Sequence, residues 1–365
     1  MKVNRYYVCT IASLFLLLLG TFGTLSAQEV TRRIYSVDVK EKGITYFLPK
    51  TRIVITLHAE EVLFTPGCYA RYAELLLGRK ATEQASKENK LTLAEIATEG
   101  IVNEEEIYTV EFRPQTASSY LSLTREGILA AINATPAILP TKSETDYTQE
   151  LQTKETKIDP VFPAEYGFAT SEAKRAKIAA QTLFDLKENL QLLISGKAEN
   201  APHEGEAFRL MVSTLQSQIA SIEALFYGTE STHKYIKRFR VLPDKATTPL
   251  ALTRFSKENG FIGTEMHKGE LITLRYSSIM EAVLSPEEEK DLSKLKGIIY
   301  NVPGQAQVSL YQSDRLIAEK ELVLTQFGTK RSLSMRMGRS RNSNLAVQFD
   351  ITTGALIDIR EATEQ

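Results

Sequence analysis

The apolar positions of this chain follow two periods, and the period changes along its length. Ala176, Ala179, Leu183, Leu186, Leu190 and Leu193 recur in alternating steps of three and four, and Gly196 follows. Phe208, Val212, Leu215, Ile219, Ile222 and Phe226 do the same, and Gly228 follows. That spacing puts each set on one face of a helix, and a glycine just beyond suits a left-handed C-terminal cap. The connection GKAENAPHEG is short, so the two helices are expected to lie antiparallel, as a hairpin. A stripe of this kind is ordinarily core.

On either side the period drops to two. RRIYSVDVK puts Tyr35, Val37 and Val39 on one strand face, and ITYFLP and RIVITLH continue as strands, with Pro49 marking a bulge or an edge. A short helix is expected after Pro66, with Tyr69, Tyr72, Ala73 and Leu76 at helical spacing and Gly78 as its cap. LTLAEIATEG and EEEIYTVEFRP read as strands, and YLSLTREGILAAIN reads as a hairpin turning at residues 124–127. Beyond Tyr227, HKYIKRFRVLP, LALTRFS and GELITLRYS return to strand patterning, with a turn at residues 257–260. From Gly297 come IIYNVP, AQVSLYQ, LIAEKELVLTQFG, LAVQFDI and ALIDIR, five short strand candidates in a row. Residues 139–166 are polar, charged and bounded by prolines, a linker or exposed loop. The expected fold is therefore α+β. A β-rich, sandwich-like N-terminal domain (28–138) and a β-rich C-terminal domain (231–365) flank a helical hairpin (167–230).

The first residues change the picture of where this protein works. Lys2 and Arg5 precede an almost wholly apolar run over residues 8–19, and Leu25, Ser26 and Ala27 precede Gln28. This is the layout of a signal peptide (1–27) cut between Ala27 and Gln28, and the run is short for a bilayer span of about 20 residues. Cys9 lies inside the run, where a lipid-modified cysteine would not. The expectation is a periplasmic protein with no integral membrane span after cleavage, held at the outer membrane, if at all, through a partner. Cleavage removes two cations and no acid from a chain with 44 Lys+Arg and 45 Asp+Glu. The near-neutral remainder gives no reason to expect nucleic acid as a partner. Of two cysteines only Cys68 survives, so no internal disulfide forms; the thiol is either reactive or a small buried residue.

Candidate chemistry is sparse. His58, His203, His233 and His267 lie outside metal-ligand spacing of one another, and no HExxH is present. Residues 171–174 match S-x-x-K, the nucleophile signature of penicillin-binding enzymes, but neither S-D-N nor K-T-G accompanies it. Ser171 or Thr170 also suits a helix N-cap. Phosphate loops, dinucleotide fingerprints, nucleophile elbows and calcium loops are absent. Residues 104–106 and 287–289 are acidic runs expected in a turn or a helix start. Two basic stretches, Lys234, Lys237, Arg238, Arg240 and Lys330, Arg331, Arg336, Arg339, Arg341, suit either an anionic partner or charge-protected strand edges. No catalytic residue, metal ligand or cofactor-binding residue is assigned.

One repeat stands out. Residues 42–54, KGITYFLPKTRIV, and residues 296–308, KGIIYNVPGQAQV, share Lys, Gly, Ile, Tyr, Pro and Val at one constant offset. Against duplication, Ile53, Ile55 and Leu57 stand opposite Gln307, Ser309 and Tyr311, so the apolar face is not carried over in full. Both readings, duplicated module and coincidence, remain open on sequence alone.

GITYFLPKTRIVITL followed by PGCYARYAELLLG, then ALFYGT, LTRFSKENGFI, GIIYNVPGQAQVSL, TQFG and DITTGALIDI, resembles a Bacteroidota envelope family, the domain of unknown function 4831. The resemblance covers nearly the whole chain beyond the leader. Cys68 departs from it, standing where a non-thiol residue is expected after Pro66 and Gly67. The family implies export in a Gram-negative bacterium and brings no activity and no catalytic residues. The leading expectation is an envelope protein that binds or scaffolds an envelope protein partner, without catalysis. The alternatives are a hydrolase of envelope polymers, marked by a pocket joining a His, a carboxylate and a Ser, Cys or Lys, and a glycan or lipid binder. The latter would stack rings, which the absent Trp does not favour and the 15 Tyr permit.

Overall fold

The computed structural model describes residues 30–34, 43–111, 121–136, 159–198, 205–244, 249–295, 297–334 and 345–361. The leader with Ala27 and Gln28, the strand expected at Tyr35, Val37 and Val39, His203, Arg336, Arg339, Arg341 and residues 139–158 of the linker lie outside them.

In chain order the elements are β1 (Val30–Ile34), β2 (Ile44–Thr65), a 3-10 turn (Ala70–Tyr72), α1 (Ala73–Leu77), β3 (Ser86–Glu111), β4 (Leu121–Leu123) and β5 (Leu129–Ile132). There follow α2 (Ala164–Phe168), α3 (Glu172–Ile194), α4 (Gly205–Tyr227), β6 (Thr229–Val241), β7 (Leu250–Ser256), β8 (Gly260–Ile262) and β9 (Glu270–Met280). The last are α5 (Pro286–Ser293), β10 (Ile298–Gln312), β11 (Arg315–Leu333), β12 (Leu345–Phe349) and β13 (Leu356–Glu361). The chain is strand-rich, with several antiparallel sheets beside its helices. The strand orders are β1-β3-β2-β6, β11-β10-β9-β7-β8 and β13-β12-β5-β4. β6 joins β2, and β12 joins β5, so two of the sheets combine strands from both sides of residues 139–166.

The repeat recurs in the backbone. Gly43 and Gly297 both take positive φ just ahead of the strands β2 and β10. In β2 the pairing runs to Phe47 with Ile107 and resumes at Pro49 with Val102, so residues 103–106 bulge from β3. In β10 it runs to Val302 with Thr329 and resumes at Gly304 with Leu324, so residues 325–328 bulge from β11. The prolines sit at the breaks, where the missing N–H costs no ladder bond. Past the bulge the ladders stay in step: Ile55 pairs with Ile96 on one side and Phe239 on the other, and the matching Ser309 pairs with Glu319 and Arg275. β3, β2 and β6 thus match β11, β10 and β9.

A small hairpin accompanies each copy. The Phe47 amide donates to Gly127 O (2.9 Å) and the matching Asn301 amide to Gly354 O (3.1 Å). Both glycines have positive φ and close tight turns, the first from Thr124 and the second from Asp350. The TREG turn expected from sequence is the first of these.

Three cores hold the chain. One joins Ile53, Ile55, Leu57 and Ile96 to Ile272, Leu274, Ala306, Val308, Leu310 and Leu324. A second gathers Tyr46, Leu48, Tyr108, Leu129 and Ile132 with Ile298, Ile299, Val347 and Phe349. The third lies between α3, α4 and residues 69–73, around Ala176, Ala179, Leu183, Ile222 and Phe226. Each fully buried Ile, Leu or Phe contributes about 1.5–3 kcal/mol.

Candidate interaction surface

The two repeated stretches meet in the second core, through Tyr46 and Leu48 of one and Ile298 and Ile299 of the other. Tyr46 Oη accepts from the Ile299 amide (2.9 Å) and donates to its carbonyl (3.2 Å). Asn301 Nδ2 donates to Pro49 O (2.8 Å) and Thr353 O (2.9 Å). The two repeated stretches therefore clasp each other directly. Burial pushes the Tyr46 hydroxyl far above its ordinary range, so it stays protonated and keeps donating. These hydrogen bonds satisfy buried backbone groups; the chemistry is that of a structural joint.

The other flagged residues lie apart. Ser171 caps α3, its hydroxyl accepting from the Lys174 amide (3.3 Å), so the S-x-x-K match is a helix start. Cys68 is exposed beside the 3-10 turn; partial burial pushes its thiol up, and Glu172 adds to the rise. That is the opposite of what a thiolate nucleophile needs. His58 on β2 lies with Nε2 3.5 Å from Glu95 on β3, His233 is on β6, and His267 is in the turn after β8. Among the described residues no group of three or more His, Cys, Asp or Glu could hold a metal ion.

The charge runs are placed differently from one another. Residues 104–106 belong to β3 and its bulge, correcting the expectation of a turn or helix start. Glu106 is largely buried and binds Arg33 (2.8 Å), Lys330 (2.6 Å) and the Tyr108 hydroxyl (2.6 Å). Burial first, and that hydrogen bond second, push the Tyr108 hydroxyl up. The bulge thus supplies the carboxylate that ties β1, β3 and β11 together. Residues 287–289 form the first turn of α5, as a helix start, with a reciprocal Ser285 and Glu288 capping box. Arg331 reaches Glu288 at 3.1 Å.

What remains is the helical layer. Its base is anchored: the Tyr69 amide donates to Leu225 O (2.7 Å), and a Cβ on Gly67 would lie 2.3 Å from that oxygen. Tyr69 packs on Phe226, and the Tyr69 and Tyr166 hydroxyls are hydrogen-bonded. Along α4, burial fades away from this base. Ile219, Ile222 and Phe226 are buried, whereas Phe208, Val212 and Leu215 are only half-buried. Phe184 (49 % exposed), Leu192 and Ile194 (61 %) on α3, with Leu210 (66 %) and Met211 on α4, face solvent. Phe168 and Leu75 stand out further, at 84 % and 83 %. The periodic spacing assigns only the stripes to core; these apolar residues lie beside them, and their presence outside the stripe is the signal the sequence holds. No helix among the described residues is long and apolar enough to cross a membrane.

A family model described as domain of unknown function (DUF4831) matches residues 42–357, and the chain belongs to that family. No curated protein and no solved structure matches it.

Proposed function

We propose that this member of the DUF4831 family is an exported cell-envelope protein that binds or scaffolds a partner protein, without catalysis of its own. The observation that carries the reading is the set of large apolar side chains left exposed on α3 and α4: Phe184, Leu192, Ile194, Leu210 and Met211. Apolar surface of this kind on an otherwise charged helical layer is what protein-binding faces present. On this reading the sheets β1-β3-β2-β6 and β11-β10-β9-β7-β8 stack as a sandwich. α3 and α4 form an antiparallel hairpin, and the layout of residues 1–28 directs the chain to the periplasm. The sandwich is then a mount for the helical surface, and the clasped family residues hold the mount together.

The test is affinity purification after in-cell crosslinking of the envelope fraction from the native host, with the natural chain and with Phe184→Glu and Leu210→Glu. Both substitutions replace exposed side chains, so folding is retained. A reproducible partner recovered with the natural chain and lost with either variant supports the reading. Equal recovery with all three, or no partner at all, sinks it.

A further inference from the structure

β6 is the outer strand of its sheet. It pairs with β2 from Thr229 to Val241, and among the described residues no strand pairs with its other edge. The match between the two strand trios shows what such an edge accepts. β9 holds the place of β6 in the second trio, and its outer edge is filled by β7, with Ala251 opposite Thr273 and Phe255 opposite Glu270. Residues 270–273 of β9 match residues 234–237 of β6. At the corresponding edge of the first trio, the chain supplies no described counterpart to β7.

We propose that the edge of β6 at residues 234–237 takes an extended acidic segment of a partner protein as an added antiparallel strand. The backbone gives affinity, since an unpaired edge offers alternating N–H and C=O groups. The side chains give the sign. β6 carries Lys234, Lys237, Arg238 and Arg240 against Glu230 alone. Lys237 lies over the rings of Phe239 (5.5 Å) and Phe261 (5.7 Å) and donates to Thr253 Oγ1 (3.3 Å); among the described residues no carboxylate pairs with it. Lys234 is largely exposed and reaches Glu60 at 3.3 Å. Like charges opposite one another disfavour pairing, so the same lysines reject a second copy of β6 while accepting an acidic strand. This edge is separate from the helical surface, and the inference does not rest on that surface binding anything.

The probe is a fluorescein-labelled peptide of alternating Glu and Val, with an alternating Lys and Val peptide and a backbone N-methylated acidic peptide as comparisons. Anisotropy and amide-resolved hydrogen exchange are read on the purified chain. The acidic peptide is expected to bind and to slow exchange within residues 234–237. Lys234→Glu, and the pair Lys234→Glu with Lys237→Glu, should each weaken it, the pair by about tenfold or more. N-methylation should abolish binding. The exposed Lys234→Glu alone keeps the test valid should the pair fail to fold. Any of three results overturns the proposal: every amide of residues 234–237, including the alternate ones that face away from β2, already protected in the free chain, no slowing of those outward amides by the acidic peptide, or equal binding of the acidic peptide after charge reversal.

Discussion

The hairpins β2/β3 and β10/β11 share a backbone and bury opposite faces. Their ladders break within one residue of matching points and come back into step beyond. Yet β2 sends Ile53, Ile55 and Leu57 into the first core, whereas β10 sends the alternate residues Ala306, Val308 and Leu310. The positions that match the isoleucines carry Gln307, Ser309 and Tyr311. Ser309 donates to Glu319 (2.8 Å), and Arg275 lies over the Tyr311 ring (4.5 Å). Two matching sheets therefore contribute opposite faces to one core. The lost apolar identity that argued against duplication follows from this shared core: period-two patterning must invert when the buried face inverts. Backbone register can be held in common while every second side chain changes character.

Matched positions of the two hairpins should respond differently to substitution. The largest effect is expected at Gly304, where an added Cβ would lie 2.2 Å from Phe327 O. Gly304→Ala should destabilise by about 4 kcal/mol or more in denaturant unfolding. Lys50→Ala, at the matching place in β2, should stay within about 0.5 kcal/mol. Equal effects would mean that the two bulges are not packed differently. Next is Asn301→Ala, which leaves the carbonyls of Pro49 and Thr353 without this donor; a loss of about 2–3 kcal/mol is expected, seen as a lower unfolding midpoint.

Tyr46→Phe comes third, at about 1–3 kcal/mol, because the buried Ile299 amide loses its acceptor. Its counterpart Tyr300→Phe should cost less than about 1 kcal/mol, since Tyr300 is only half-buried. The smallest effect is one of pH. Hydrogen bonds from Gln307 and Ser309 hold the Glu319 carboxyl below its ordinary value of 4.5. A depressed folded value contributes stability above the unfolded pKa and loses it as pH falls through the folded one. Thermal unfolding from about pH 6 to pH 3 should therefore show a shallower acid loss in Glu319→Gln than in the natural chain. The matching residue of the first hairpin, Ile96, has no charge to lose.

How much of this was legible in the sequence varied with how local the cause was. The helices α3 and α4, the caps at Gly196 and Gly228, and the turns at Gly127 and Gly260 depend on neighbours a few residues away, and spacing exposes them. The bulge at Pro49 was legible for the same reason, because proline removes a ladder donor locally. Strand partners were not: that β6 would join β2, or β12 join β5, depends on contacts between distant segments that no local pattern encodes. Residues 104–106 misled because a run of Glu looks solvated, whereas Glu106 is drawn inward by Arg33, Lys330 and Tyr108, two of them remote in sequence. The exposed apolar residues of the helical layer were hidden by their neighbours: once a stripe explains a helix, residues beside it attract no attention.

We propose a division of labour, in which the two repeated stretches form a joint and the exposed side chains of the helical layer meet a partner. Partner recovery from crosslinked envelopes, compared between Tyr46→Phe and Leu210→Glu, tests it most directly. Tyr46→Phe should unfold earlier yet recover the partner at the natural level wherever it is folded, and Leu210→Glu should keep natural stability and lose the partner. Loss of the partner with a folded Tyr46→Phe, together with full recovery by Leu210→Glu, would contradict the account and move the functional surface to the clasped strands.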